Sequence, residues 1–344
     1  MKYLSLLVFF VFLSCKSTFK VLERKDIILD SLSIRAIYPT INGVWFGGTN
    51  SKAGFISFQN EAETKIVKSQ KEITDFRSIA YANGSIYVLN AGTPANMYAL
   101  NTFGYSAASN LIYSETGEKV FYDSMFIDAK TGLGIVIGDP IEDCLSVLLT
   151  ENSGITWQKI SCDILPKSLE GEAAFAASDT NVKIIEGVIY IISGGIKSRL
   201  FMSQDKGITW EVFETPIIQG KAMTGAFSMD FYNKRKGIIV GGNYENQKDN
   251  SINKATTNDG GKTWKIVSKD QAFGYASCVQ FVPKSRGKVL YTCGTSGVYY
   301  STNFGEKWTK ILDDTDFYTL RFSGENNLYL AGKNKVTKIK ISHF

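Results

Sequence analysis

Short runs of apolar, β-branched and aromatic residues, each ending at or beside a glycine, recur along the chain. Such runs, bounded by turn residues, are typical of buried β-strands. The seven runs are VWFGG (44–48), IYVLNAG (86–92), GIVIGD (134–139), IYIISGG (189–195), GIIVGG (237–242), VLYTCG (289–294) and LYLAG (328–332). Before each run, a small residue followed by apolar ones opens a further strand; these residues are Ala36, Ser78, Ser124, Ala173, Ser228, Ser277 and Thr319.

The spacing of these small residues predicts the fold. They are 42 to 55 residues apart, which is close to the period of four-stranded propeller blades. The pattern therefore predicts an all-β fold, a seven-bladed β-propeller of four-stranded antiparallel blades. At 344 residues the chain could hold two domains, but the repeats favour one.

A second repeat marks the turns between strands. Four segments follow the template S/T-x-D/N-x-G-x-x-W: TENSGITW (150–157), SQDKGITW (203–210), TNDGGKTW (257–264) and STNFGEKW (301–308). The acid or amide can accept turn N–H groups, glycine permits a positive φ, and tryptophan buries a large ring. The segments resemble the Asp box, or bacterial neuraminidase repeat, which implies a structural role for Asn152, Gly154, Trp157, Asp205, Gly207, Trp210, Asp259, Gly261, Trp264, Asn303, Gly305 and Trp308.

The N-terminal segment predicts export. Lys2 precedes a ten-residue segment, Leu4–Leu13, that is apolar except for Ser5, and then come Ser14 and Cys15. This pattern is typical of a signal peptide over residues 1–14, and it is too short for a membrane span. The alternative is a buried N-terminal strand or helix. F-L-S-C resembles a lipobox, so we expect lipidation of Cys15, a tether over 15–18, and a periplasmic or outer-membrane lipoprotein of a bacterium.

The remainder, residues 19–344, is expected to be the propeller. The segment FKVLE, Phe19–Glu23, is similar to the strands that begin at the template tryptophans, WQKI, WEVF, WKIV and WTKI. The last repeat ends in VTKIKISHF and lacks a fourth strand. We therefore expect Phe19–Glu23 to complete the last blade and close the ring.

The cysteines can form two cross-strand pairs. Cys144 and Cys162 flank the first template turn symmetrically, and Cys278 and Cys293 flank the turn VPKSRG. Residues opposite each other in an antiparallel hairpin are close enough for a disulfide, and an oxidising compartment favours one. The alternative is four buried free thiols.

Composition excludes several kinds of chemistry. The single histidine, His343, is the next-to-last residue, so His-ligated zinc sites and Ser-His-Asp or Cys-His catalysis are not expected. A net charge of +5 is too small to indicate nucleic-acid binding. We expect no metal and no cofactor, a monomer, and membrane contact through the lipid anchor alone.

The residues before the first strand of each repeat should surround one mouth of the central channel. Those of the first four repeats are charged, and the later ones are mainly aromatic or apolar. The loops after the second strands add polar residues to the same face. The candidate binding residues are Arg35, Arg77, Asp123, Asp139, Glu172, Asn243 and Tyr244. Such a mixture is typical of a recognition site, although the charges could instead neutralise one another and fill the channel. Arg199, Arg235 and Arg286 are expected to be solvated.

Several short sequence segments of the chain resemble segments of bacterial propellers related to the photosystem II stability and assembly factor. They are DFRSIAY, YDSMFID, GIVIGDP, GEAAFAAS, SGGIKSRLFMSQDKGITW and GIIVGGNY, and they extend from Ser33 to Trp308. The resemblance implies that Arg35 and Arg77 contact a partner protein. Some relatives are labelled oxidoreductases, but the chain has no G-x-G-x-x-G leading into a helix and no C-x-x-C.

The sequence is compatible with two functions. The first is a binding or assembly module whose channel mouth docks an envelope protein or glycan, with no catalytic residue. The second is a glycoside hydrolase, of sialidase type or another. A retaining glycosidase needs two carboxylates about 5 Å apart, and Asp123 with Asp139 or Glu172 could supply them. Arg35, Arg77 and Arg321 could form an arginine triad, but the sialidase word F-R-I-P is absent.

Overall fold

The computed structural model describes residues 19–60, 64–68, 74–101 and 109–343. The expected signal peptide, the tether and Cys15 lie outside the described residues. Within the described ranges, no helix is long and apolar enough to cross a membrane. The described chain consists mainly of β-strands joined by turns.

The strands form six antiparallel sheets, each of which we call a blade. Blade 1 contains, in spatial order, β27 (Phe317–Ser323), β28 (Asn327–His343), β1 (Phe19–Pro39), β2 (Gly43–Gly48), β3 (Lys52–Ser57) and β4 (Lys65–Lys68). Blade 2 contains β5 (Phe76–Ala82), β6 (Ser85–Asn90), β7 (Ala95–Asn101) and β8 (Ser109–Glu115). Blade 3 contains β9 (Tyr122–Ile127), β10 (Gly134–Pro140), β11 (Leu145–Thr150) and β12 (Gln158–Lys159).

The remaining blades complete the ring. Blade 4 contains β14 (Val182–Ile185), β15 (Val188–Ile192), β17 (Arg199–Ser203) and β18 (Glu211–Glu214). Blade 5 contains β13 (Glu172–Ala173), β16 (Gly194–Gly195), β19 (Thr224–Phe231), β20 (Gly237–Asn243), β21 (Lys254–Thr257) and β22 (Lys265–Ile266). Blade 6 contains β23 (Ala276–Phe281), β24 (Leu290–Gly294), β25 (Gly297–Ser301) and β26 (Thr309–Leu312).

The prediction of seven blades is wrong, because the described strands form six sheets. β1 is 21 residues long and pairs with β28 through its first half and with β2 through its second half. The first and last repeats therefore share one six-stranded sheet. In this sheet Phe19 pairs with His343 and Val21 with Ile341, so the N-terminal strand joins the ends of the chain.

The fourth repeat also differs from the expected pattern. Ala173, expected to open the inner strand of its own blade, lies in the two-residue strand β13, which pairs with β16 in blade 5. The inner strand of blade 4 is β14, which begins at Val182. Residues 174–181, between these two strands, belong to neither sheet. We call them the channel segment.

The four template turns share one hydrogen-bonded arrangement. In the second turn, Ser203 Oγ accepts from Gly207 N at 2.7 Å, and Asp205 Oδ1 accepts from Thr209 N at 2.9 Å. Gly207 has φ +89°, which other residues adopt only with strain, and a Cβ there would also displace the Leu149 side chain. The other three turns repeat these hydrogen bonds at Thr150/Asn152, Thr257/Asp259 and Ser301/Asn303.

These turns define one end of the propeller, which we call the turn face. The hairpin that follows an inner strand lies at the same end, since Ser153 N of a template turn donates to Gly132 O of the β9–β10 hairpin at 2.9 Å. The opposite end, where the inner strands begin, is the mouth face.

The two cysteine pairs differ in state. Cys144 and Cys162 form a disulfide with a Cα–Cα separation of 5.6 Å. Cys278 and Cys293 face each other across β23 and β24 in register, but both are free and buried.

Candidate functional site

The channel segment fills the centre of the ring. Both carboxylate oxygens of Asp179 accept backbone N–H groups, from Ile79 of β5 at 3.0 Å and from Met125 of β9 at 2.8 Å. Thr180 O accepts from Met229 N of β19 at 2.9 Å. Ser178 O accepts from Thr319 Oγ1 of β27 at 3.0 Å. The inner strands are thus bridged by the chain itself.

Arg35 and Arg77, the two candidate arginines, hold consecutive peptide groups of this segment. Arg35 Nη1 donates to Ala177 O at 3.1 Å, and Arg77 Nη1 donates to Ala176 O at 3.3 Å. Arg35 also lies over the ring of Tyr318, 4.1 Å from its centroid. Burial and the neighbouring charge of Arg77 lower the pKa of Arg35. The guanidinium groups therefore bind polypeptide backbone at the mouth.

Two candidate carboxyl groups lie beside them. Asp139 Oδ1 accepts from Ala174 N at 3.0 Å, and burial raises the pKa of Asp139 to about 6. Asp123 is 1% exposed, and its Oδ2 has no hydrogen-bond partner among the described residues. Burial, together with the nearby Asp139, raises the pKa of Asp123 well above its ordinary value. Asp123 is therefore sealed within the ring and cannot contact a partner directly.

Glu172 has a structural environment. Its side chain is fully buried and forms an ion pair with Arg199, whose Nε donates to Glu172 Oε1 at 2.9 Å. Ser193 Oγ and Leu169 N also donate to the carboxylate, at 2.5 and 2.9 Å. The expectation that Arg199 is solvated is wrong, because its side chain is 13% exposed. The pair fixes the loop that leads into the channel segment.

Asn243 and Tyr244 have different roles. Asn243 Oδ1 accepts from Glu245 N at 2.9 Å and from Asn246 N at 3.1 Å, which caps a turn. Tyr244 is 40% exposed and meets the ring of Tyr275 edge-on, with centroids 5.1 Å apart. Tyr275 in turn contacts Phe227 at 4.8 Å. Tyr244 is thus the exposed end of an aromatic cluster at the mouth.

Three apolar side chains on the mouth face were missed by the sequence analysis. Phe121, Leu169 and Ile196 are 37%, 44% and 42% exposed. Phe121 O accepts from Asp139 N at 2.9 Å, and Ile196 N donates to Gly171 O at 3.0 Å, so two of them adjoin the start of the channel segment. The repeated strand pattern of the sequence does not predict them, because all three lie just before or between strands.

Neither remaining cluster is a convincing cofactor site. Glu142, Asp143 and Cys162 approach one another on the surface, but the Cys162 sulfur is in the disulfide and is not a thiolate ligand. A cavity of about 210 Å³ lies at the other end of the channel, lined by Tyr38, Tyr81, Asp179, Gln280 and Arg321 among others. Arg321 Nη2 donates to Asp179 O at 2.7 Å, so this arginine supports the channel segment and lies apart from Arg35 and Arg77.

The blades and the closed ring define the chain as a β-propeller, and comparisons with known proteins agree. The family model for sortilin and neurotensin receptor 3 (Sortilin-Vps10) matches residues 198–341. The structure of YCF48 bound to D1 peptide is 13% identical, with a TM-score of 0.64 over 92% of this chain and 96% of that chain. The structure of YCF48 from Cyanidioschyzon merolae is also 13% identical, with a TM-score of 0.62 over 92% of this chain and 98% of that chain.

A third similar structure broadens the comparison. The WD40 repeats of RRP9 are 11% identical, with a TM-score of 0.65 over 95% of this chain and all of that chain. No curated protein matches the sequence. At these identities the likeness shows the fold alone.

Proposed function

We propose that this chain is an exported, lipid-anchored binding or assembly module that docks a protein partner on its mouth face. The observation that carries the proposal is the contact of Arg35 and Arg77 with the carbonyl groups of Ala177 and Ala176. Together with Asp139, which accepts from Ala174 N, these residues bind both donors and acceptors of a polypeptide backbone. The exposed part of Arg77 can offer the same chemistry to a segment of a partner.

The exposed groups around this contact favour a protein over a small molecule. Arg77 keeps 26% of its side chain exposed, beside Asp75 at 3.1 Å. Tyr244, Ile196 and Leu169 add exposed aromatic and apolar surface. Aromatic residues and arginine are enriched at protein interfaces. A similar propeller, YCF48, is described as bound to D1 peptide, and this supports a peptide or protein partner here.

The geometry gives no support to glycoside hydrolysis. Asp123 is buried beneath the channel segment, and Glu172 is held by Arg199. A glycosidase carboxylate must reach the scissile bond, and neither of these side chains can do so without rearrangement. We assign no catalytic residue.

Site-specific photocrosslinking in cell envelopes tests the proposal. A benzophenone amino acid replaces Ile196 or Tyr244 on the mouth face, and Ile155 or Ile208 on the turn face serves as the matched control, with 56% and 71% exposure. We expect a discrete protein adduct from the mouth positions alone. Arg77→Ala should weaken that adduct, whereas Arg235→Ala, which removes an exposed arginine of the turn face, should not.

The opposite pattern would contradict the proposal. Adducts from the turn face alone, or adducts unchanged by Arg77→Ala, would place the partner site elsewhere. The lipid anchor has its own test, which is metabolic labelling with a radioactive fatty acid. Label should enter the wild-type protein and be lost in Cys15→Ser; label in both proteins would contradict lipidation at Cys15.

A further inference from the structure

The turn face carries a basic surface formed by two neighbouring turns. The turn after β19 contains Lys234, Arg235 and Lys236, and the turn after β23 contains Lys284, Arg286 and Lys288. The turns are in contact, because Arg286 N donates to Tyr232 Oη at 3.0 Å. Five of the six cations are exposed, and Lys236 is partly buried. We call this surface the basic turn pair.

Two acids close to the basic turn pair are neutralised by ion pairs. Glu325 pairs with Lys284 at 3.2 Å, and Glu306 pairs with Lys265 at 2.8 Å. Asp259 accepts a hydrogen bond from Thr263 N of its own turn and keeps its negative charge. In contrast, Lys234, Arg286 and Lys288 form no ion pair within the described part of the chain. The basic turn pair therefore presents uncompensated positive charge to solvent.

The chain enters the propeller at the same end. Ile341 N donates to Asn326 O at 2.8 Å, which places the end of β28 beside the turn that contains Glu325. Phe19 pairs with His343 at that end of the sheet. The chain before Phe19, which contains the expected lipidation site Cys15, therefore joins the propeller at the turn face.

Exposed isoleucines lie at the tips of other turns on this face. Ile41, Ile155 and Ile208 are 84%, 56% and 71% exposed, the first in the β1–β2 turn and the others in template turns. A face with basic turns and exposed apolar tips has the two features of amphipathic surfaces that lie on bilayers. We propose that the turn face docks on a membrane surface that contains anionic phospholipid, with the mouth face directed away from it.

This inference adds a protein surface to the lipid anchor of the proposed function and concerns the opposite face from the partner site. Its test uses the chain with Cys15→Ser, which removes the proposed lipid and keeps the turn face. Vesicles of neutral phospholipid with or without 30% anionic phospholipid are compared by sedimentation at about 0.1 M salt. The test variant is Lys234→Gln/Arg286→Gln/Lys288→Gln. The matched control is Lys221→Gln/Lys248→Gln/Lys269→Gln, which removes three exposed cations of the mouth-face loops and the same net charge.

The expected loss follows from the charge removed. A cation near an anionic surface strengthens binding about fivefold, so the test variant should lose about 100-fold in partitioning onto anionic vesicles, and the control only a few-fold. On neutral vesicles both variants should match the wild type. Brominated lipids should also quench the tryptophans of the template turns, since these lie at the turn face.

Several outcomes would overturn the inference. One is an equal loss in the two triple variants, and another is binding that does not depend on anionic lipid. Displacement by duplex DNA at an equal phosphate concentration would indicate a general polyanion site. Each of these results leaves the mouth-face crosslinking unaffected, so failure of membrane docking and failure of the proposed function are distinguishable.

Discussion

One carboxyl group ties the channel segment to blades 2 and 3, and its pKa makes the contact testable. Burial raises the pKa of Asp179 to about 7, against the opposing charge of Arg321. The folded-state pKa is thus above the unfolded value of about 3.9. The stabilisation from the neutral carboxyl is fully present below about pH 4 and is lost as pH rises through 7. Between pH 5 and pH 8 the loss amounts to about 2.5 kcal/mol.

Asp179→Asn removes this dependence. The amide keeps one acceptor, so one of the two backbone N–H groups, of Ile79 or Met125, loses its partner. That loss should destabilise the variant by about 1–3 kcal/mol at pH 5. At pH 8 the wild type has lost its own contribution, so the two proteins should be nearly equal in stability. Urea unfolding at both pH values measures the free energies.

A control variant separates this effect from a general change of charge. Asp143→Asn makes the same chemical change at a carboxylate that is 61% exposed, and its stability relative to wild type should hardly vary with pH. If the stability difference between Asp179→Asn and wild type is the same at pH 5 and pH 8, the carboxyl is ionised throughout. Burial would then not keep the Asp179 carboxyl neutral in the channel.

Three further predictions concern the supports of the ring. Arg199→Ala leaves the Glu172 carboxylate buried and unpaired and should cost about 3–5 kcal/mol in urea unfolding; a loss below about 1 kcal/mol would contradict the buried pair. Cys144→Ser/Cys162→Ser opens an 18-residue loop and should cost about 3 kcal/mol, while unreduced mass spectrometry of the wild type should show this bridge alone. Deletion of Phe19–Glu23 removes part of the pairing between β1 and β28 and should lower the melting temperature markedly, and an unchanged melt would refute its role in closure.

Local sequence pattern predicted the strands well and their grouping less well. The apolar runs that end near glycine were predicted to be the second strands of the blades. One of them, GIVIGD, forms β10, the second strand of blade 3. The four template turns were found from spacing alone, since each is built by contacts within eight residues. The number of blades could not be read in this way. It depends on β1 continuing from its pairing with β28 to its pairing with β2, and no local pattern shows that a strand changes partners.

The channel segment was missed for a related reason. Its polar residues, among them Ser178 and Asp179, resemble a surface loop in sequence, yet Ser178 is fully buried. Their partners lie about 100 residues away, as for Asp179 and Ile79. Arg199 was misplaced in the same way, because its partner Glu172 is 27 residues distant. Buried polar groups are satisfied by contacts that only the closed ring creates.

The two faces place complementary constraints on how the protein works. The strand that leads from the N-terminus begins at the turn face, beside the basic turn pair. The groups that bind polypeptide backbone lie at the opposite end of the inner strands. An anchor at Cys15 would therefore hold the turn face against the bilayer and leave the mouth face open to a partner. If the anchor and the basic turns act together, loss of either should weaken membrane retention while partner crosslinking in solution persists. Loss of both functions from a substitution on one face would instead show that the channel segment couples the two ends.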